Sequence, residues 1–143
     1  MIKQLSQRDR RWKNIKVGIG NLTIGQAGCA ITCLAMLSGT TPIVVNNELK
    51  RVKGYAYTNL VIWTKLIKTI LKLKFIKRVY KYNNAEVKKN LPCLVEVNAA
   101  KIGAVRHWVL FIGGYKMIDP WTGKIESTKK YPLTGYSIIK KIK

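Results

Sequence analysis

The residue best suited to chemistry in this sequence is a cysteine placed where a helix should begin. Cys29 follows Gly25-Gln26-Ala27-Gly28, and beyond it Ile31, Leu34, Ala35 and Leu37 keep helical spacing until Gly39. A free thiol titrates near about 8.5, so little thiolate exists at neutral pH without help. A helix N-terminus gives that help, through unpartnered N–H groups and a partial positive charge. Gly28 would leave a substrate carbonyl room to approach. The ordinary fate of a free cysteine is to serve as a small buried hydrophobe. That description suits Cys33, one turn further into the helix, and Cys93, in the strand-like LPCLVEV, better than it suits Cys29.

A thiol nucleophile needs a base, and with one histidine in the chain it has to be His107. In RHWVLFI this residue shares a strand face with Val109 and Phe111. Burial there disfavours the imidazolium, and a neighbouring thiolate favours it. A lone histidine on an apolar strand is ordinarily a hydrogen-bonded core residue, and the cysteine upstream gives this one a second use. Only two aspartates exist, Asp9 and Asp119, and the second follows His107 by one hairpin. Adjacent antiparallel strands can bring such a carboxylate to the far ring nitrogen, where it would fix the imidazole's orientation. Asp-Pro-Trp-Thr-Gly is equally an ordinary turn. Acyl transfer also needs donors for the developing oxyanion. The Cys29 N–H is one, and the amide of Gln7 or of Gln26 is the other. Gln26 is near but three residues before the thiol; Gln7 requires the N-terminal loop to fold back over the helix.

The elements that must position these groups change character halfway along. The first 27 residues read as loop, with turns at Gly18, Gly20 and Gly25. The Cys29 helix follows, and a second starts at Pro42, buries Val45, Leu49 and Val52, and stops at Gly54. Asn59 would cap a third, LVIWTKLIKTILKL, whose lysines lie between apolar positions. After it come strand-like KFIKRVYKY, a helical turn in NNAEVKKN, and strand-like PCLVEVN. RHWVLFIGG has the continuous apolar run of a central strand. Gly113-Gly114 turns it into YKMIDP, and GYSIIKKIK supplies a last strand. Helices first and antiparallel strands afterwards predict an α+β fold, residues 1–143 forming one domain with helices packed on an antiparallel sheet.

Composition removes several function classes. Three cysteines without a CxxC give neither a disulfide framework nor a zinc site, and a single histidine argues against a histidine-based metal site; no cofactor is expected. VGIGNLTIG is no phosphate loop, because no Gly-Lys-Ser/Thr follows. The greasiest stretch, residues 60–75, is interrupted by Lys65, Lys68, Lys72 and Lys74, so no membrane span is expected. MIKQLSQRDRRWKNIK does not resemble a secretory signal, so the expected location is the cytoplasm with release by lysis, or carriage in a virion. The chain holds 27 Lys and Arg against 6 Asp and Glu, a formal charge of +21. Such a field draws polyanions at long range: wall polymer first, nucleic acid less so. Lysine makes up 21 of those 27 cations, which fits a lysine-rich composition as well as a binding patch.

Taken together, SQRDRRW, TIGQAGCAITCLAMLSG, RHWVLFIGG and MIDPWTG resemble the C39-like peptidases, papain-like proteins related to the peptidases that trim double-glycine leaders. The elements carrying the resemblance are Gln7 with Trp12, Gly28-Cys29 with Ala35-Met36, His107-Trp108 and Asp119-Pro120, spread over residues 4–123. The resemblance implies a papain-like fold, a Cys29–His107–Asp119 triad, Gln7 in the oxyanion hole, and thiol-dependent cleavage of an amide bond. Proteins of this type are leader peptidases or cell-wall-degrading modules of bacteria and phages. In leader peptidases the glutamine stands a few residues before the cysteine, whereas Gln7 is far upstream. The expected function is hydrolysis of peptide bonds, with peptidoglycan as the leading substrate. The alternatives are a protease for one protein or leader peptide, and a basic binder of nucleic acid or membrane surfaces without catalysis. The binder would present Lys74, Lys77, Tyr80 and Tyr82 on one face.

Overall fold

In the computed structural model, which describes residues 1–142, the N-terminal half is helical and the C-terminal half is mostly strand. Thr23 caps a one-turn helix, α1 (Ile24–Ala27), in a reciprocal capping box with Gln26. Gly28 separates it from α2 (Cys29–Ser38), which ends at Gly39 in the left-handed conformation, φ 76°. Thr41 caps α3 (Pro42–Arg51), with proline at its first position and Lys50 and Arg51 in its last turn. The strands are β1 (Tyr55–Ala56), β2 (Leu60–Val61) and β3 (Leu73–Val79), then β4 (Cys93–Ala99) and β5 (Ala104–Gly113). They continue with β6 (Lys116–Asp119), β7 (Lys124–Ser127) and β8 (Leu133–Lys141), and α4 (Asn84–Lys89) lies between β3 and β4.

Strands β1 and β2 form a small ladder of their own. The other six make one antiparallel sheet in the order β3-β8-β4-β5-β6-β7, so the last strand in sequence sits between β3 and β4. Alternation along the strands divides the core in two. Leu94, Leu110, Ile118 and Ile139 face α2, α3 and the N-terminal segment. Val95, Val97, Val109, Phe111, Met117, Tyr136 and Ile138 face the other way, towards Val87 of α4 and Tyr131. This is the α+β layout expected, helices against an antiparallel sheet.

The helix expected over residues 60–73 does not form. Leu60 and Val61 pair with Ala56 and Tyr55, and a 3-10 helix over Trp63–Lys68 ends at an extended Thr69. Lys72 takes a positive φ of 57°. The spacing misled because the segment's apolar residues do not share one buried face. Leu66, Leu71 and Leu73 are buried, while Leu60, Ile67 and Ile70 are exposed. The loop expected over the first 27 residues contains α1 at its end, and β1 and β7 are strands the composition did not announce. The last strand ends at Lys141; Lys143 lies outside the described residues.

Candidate functional site

Cys29 is the first residue of α2, preceded by a helix only one turn long. Gly28 makes that junction possible. A Cβ there would stand 2.5 Å from the Ile24 carbonyl oxygen and 2.6 Å from Ile24 Cγ2. The glycine is thus required by the packing of α1 on the start of α2. The first N–H groups of α2 have no acceptor further up their own helix, and Gly28 supplies no side-chain cap. Cys29 is partly exposed, whereas Cys33 and Cys93 are buried. Burial holds the Cys33 thiol well above its ordinary value, and the nearby Cys29 and Asp119 add to the shift. It pushes the Cys93 thiol up to about 12. Both are poor nucleophiles for the same reason.

His107 lies on β5 opposite Val97 and is 2% exposed. Ile118 on β6 faces Leu110, so the ladder continued by one residue sets Asp119 across from Val109. That makes His107 its diagonal neighbour on the same face. The ring's Nε2 and Asp119 Oδ1 are 2.8 Å apart, with Asp119 fully buried. Nε2 is therefore committed to the carboxylate, and Nδ1 is the nitrogen left for the Cys29 thiol, which lines the same cavity as the ring. Burial by itself would lower the imidazole's pKa. The ring's hydrogen bond to Asp119, the nearby Cys29 thiol and the charges of both outweigh it, and the ring titrates at about 9. Burial would likewise raise Asp119. Bonds from His107, the Tyr131 hydroxyl and the Trp121 N–H, with the His107 charge, hold it well below the usual carboxylate range.

Gln7 arrives by a route no local pattern encodes. Its main-chain N–H donates to the Pro120 carbonyl at 2.7 Å. Arg8 Nε donates to the Trp121 carbonyl at 2.8 Å, and the Arg8 guanidinium lies 4.2 Å from the Trp121 ring centre. Buried Trp12 donates from Nε1 to the Ser6 carbonyl at 2.8 Å. Gly123 completes the fit, since a Cβ there would meet Ser6 Cβ at 3.0 Å. The N-terminal segment and the Asp119–Trp121 turn are thereby stitched together beside α2. Gln7 is 2% exposed; its amide Nε2 donates to the Gly25 carbonyl at 3.2 Å. Its Oε1 has no hydrogen-bond partner among the described residues. Gln26, the other amide considered, is exposed, and its Oε1 accepts from the Thr23 N–H at 2.9 Å within the capping box.

Cys29, His107, Gln7 and Gln26 line one cavity of about 370 Å³, whose walls include Trp63, Trp108 and Trp121. Asp119 stands behind the imidazole and does not line it. Two grooves of about 840 Å³ each are larger, but neither contains the partly exposed thiol or the imidazole. Chemistry, rather than size, singles out the smaller cavity. One cavity wall holds an ion pair that sequence reasoning missed, Arg78 to Glu96 at 2.9 Å, with the guanidinium 4.8 Å from the Trp108 ring centre. A glutamate inside the apolar run of β4 was its signal, because a charge in a buried strand needs a partner. Tyr131 and Lys130, which both reach Asp119, were also missed; they sit in a stretch that reads only as loop.

The chain matches no protein-family model, no curated protein and no solved structure.

Of the residues suggested for a nucleic-acid binder, Lys74, Lys77 and Tyr80 are exposed, and three of the four have partners within the chain. Lys77 pairs with Glu86, Tyr82 packs against Phe111 and Tyr136, and Tyr80 lies against the Arg78 guanidinium. All six acidic residues have cationic partners, and among the described residues only Lys77 and Lys130 of the lysines supply them. Among the described residues no three His, Cys, Asp or Glu side chains gather to hold a metal ion. No single helix among them is long and apolar enough to cross a membrane.

Proposed function

We propose that the protein is a papain-like cysteine hydrolase of the C39-like type, cleaving amide bonds with peptidoglycan peptides as substrate. One observation carries this reading: a partly exposed thiol at a helix start and the chain's sole imidazole share a cavity, with a buried carboxylate on the ring's far nitrogen. In the reaction, the Cys29 thiolate attacks the carbonyl carbon and the oxyanion forms opposite the Cys29 N–H and the Gln7 amide. The C–N bond then breaks as His107 Nδ1 gives its proton to the departing amine. Neutral His107 next takes a proton from water, whose hydroxide attacks the thioester and releases the acid. The thiol group is restored as thiolate with an imidazolium beside it. Asp119 keeps Nε2 a donor throughout, so that Nδ1 faces the sulfur. The unneutralised cations concentrate the enzyme on an anionic wall.

Two results test the reading. Iodoacetamide should label Cys29 at least about 100-fold faster than Cys33 or Cys93, because the latter two react only when the fold opens. Peptide mapping by mass spectrometry reads this directly, and equal labelling of all three would remove the nucleophile. Purified walls digested with the wild-type protein should gain new amino and carboxyl ends, and Cys29→Ala should produce none. Walls left intact by an alkylation-competent wild type would move the substrate to a specific protein or leader peptide.

A further inference from the structure

Asp119 is held by more than the histidine it orients. Its Oδ1 accepts from His107 Nε2 at 2.8 Å and from the Trp121 N–H at 2.9 Å. Its Oδ2 accepts from the Tyr131 hydroxyl at 2.6 Å and from Lys130 Nζ at 3.0 Å. Four donors fill a carboxylate's capacity of about four lone-pair sites. The donors on Oδ2 come from neither β5 nor β6 but from the connection between β7 and β8. Lys130 is itself held by Glu126 Oε2 at 2.5 Å, and the Tyr131 ring meets the His107 ring edge-on at 5.7 Å.

We propose that Tyr131 and Lys130 are positioning residues of the site, holding Asp119 Oδ2 so that Oδ1 and the imidazole keep one orientation towards Cys29. The torsion that turns a carboxylate about its Cβ–Cγ bond is broad and nearly two-fold. Held on Oδ1 alone, Asp119 could swing and carry the ring with it. Donors on both oxygens remove that freedom. The Lys130 cation has a second effect: it lowers the carboxylate's affinity for a proton, so the shared proton stays on Nε2. Burial and the bond to Asp119 push the Tyr131 phenol up to about 12, so it remains a donor at working pH.

The proposal rests on the hydrolase reading, and the test separates the two. Tyr131→Phe keeps the buried ring and removes only the hydroxyl; Lys130→Met removes the cation, and Lys130→Arg restores it. With the sole histidine labelled with ¹⁵N, the wild type should give one ring N–H signal protected from solvent exchange. In Tyr131→Phe and Lys130→Met that signal should broaden, and alkylation of Cys29 by neutral iodoacetamide at pH 7 should slow about tenfold. Both variants should still unfold cooperatively, and Lys130→Arg should recover the signal and the rate. Folded variants with an unchanged ring signal and wild-type alkylation would overturn the proposal. If Tyr131→Phe does not fold, Lys130→Met decides on the same two readouts. A wild-type Cys29 no more reactive than Cys33 would sink the hydrolase reading instead, while the ring signal still reports whether the two residues hold the pair.

Discussion

Asp119→Ala should destabilise the fold by about 3–5 kcal/mol, the range for removing one partner of a buried ion pair. The carboxylate is fully buried and takes bonds from His107, Trp121, Tyr131 and Lys130, so its loss leaves several donors in the interior unpaired. Chemical denaturation at pH 7 measures the change. The pH dependence has a definite sign. Because Asp119 titrates below its unfolded value, its stabilisation is fully present above about 4 and fades as pH falls through the lower, folded value. The wild type should therefore lose stability on acidification below about 4, with Asp119→Ala losing correspondingly less. Parallel acid curves for the two proteins would show that the carboxylate carries no such load.

On the proposed mechanism, His107→Ala should lower hydrolysis about 10⁴-fold, since no other imidazole can deliver a proton to the departing amine. The same residue sets an alkaline limit. With the ring titrating at about 9, hydrolysis should fall as pH rises through that value and the imidazolium is lost. Stability follows the same sign. The contribution of charged His107 is complete below about 6.5, its unfolded value, and disappears as pH climbs through about 9. A ¹⁵N titration needs no assignment, the chain having one histidine. Asp119→Asn and Cys29→Ala should each move the midpoint down, as each removes a group that favours the charged ring. A midpoint near about 6.5 in the wild type would mean that neither neighbour acts on it.

The parts of the site readable from sequence are those set by local rules. A helix start, strand alternation and a single hairpin point to Cys29, His107 and Asp119; in the structure His107 bonds Asp119 and shares a cavity with Cys29. The α+β layout followed in the same way. Gln7 was harder, because it reaches the cavity through bonds between residues 6–8 and 120–121, and no spacing within either segment encodes them. Tyr131 and Lys130 were invisible for a related reason: Ser-Thr-Lys-Lys-Tyr-Pro has loop composition, and its function comes from the strand end it is folded against. The false helix over 60–73 shows the opposite failure. Periodic lysines there reflect a basic chain, and exposed Ile67 and Ile70 do not need a common buried face.

The position of β8 between β3 and β4 has a consequence for synthesis on the ribosome. Until residues 133–141 emerge, β3 has no neighbour in the main sheet and β4 lacks one of its two. Cys29 is translated early, but the sheet that carries His107 closes only once β8 is in place. Non-local closure of this kind folds late and slowly. Cys29 and His107 can therefore share their cavity only once β8 has slotted between β3 and β4.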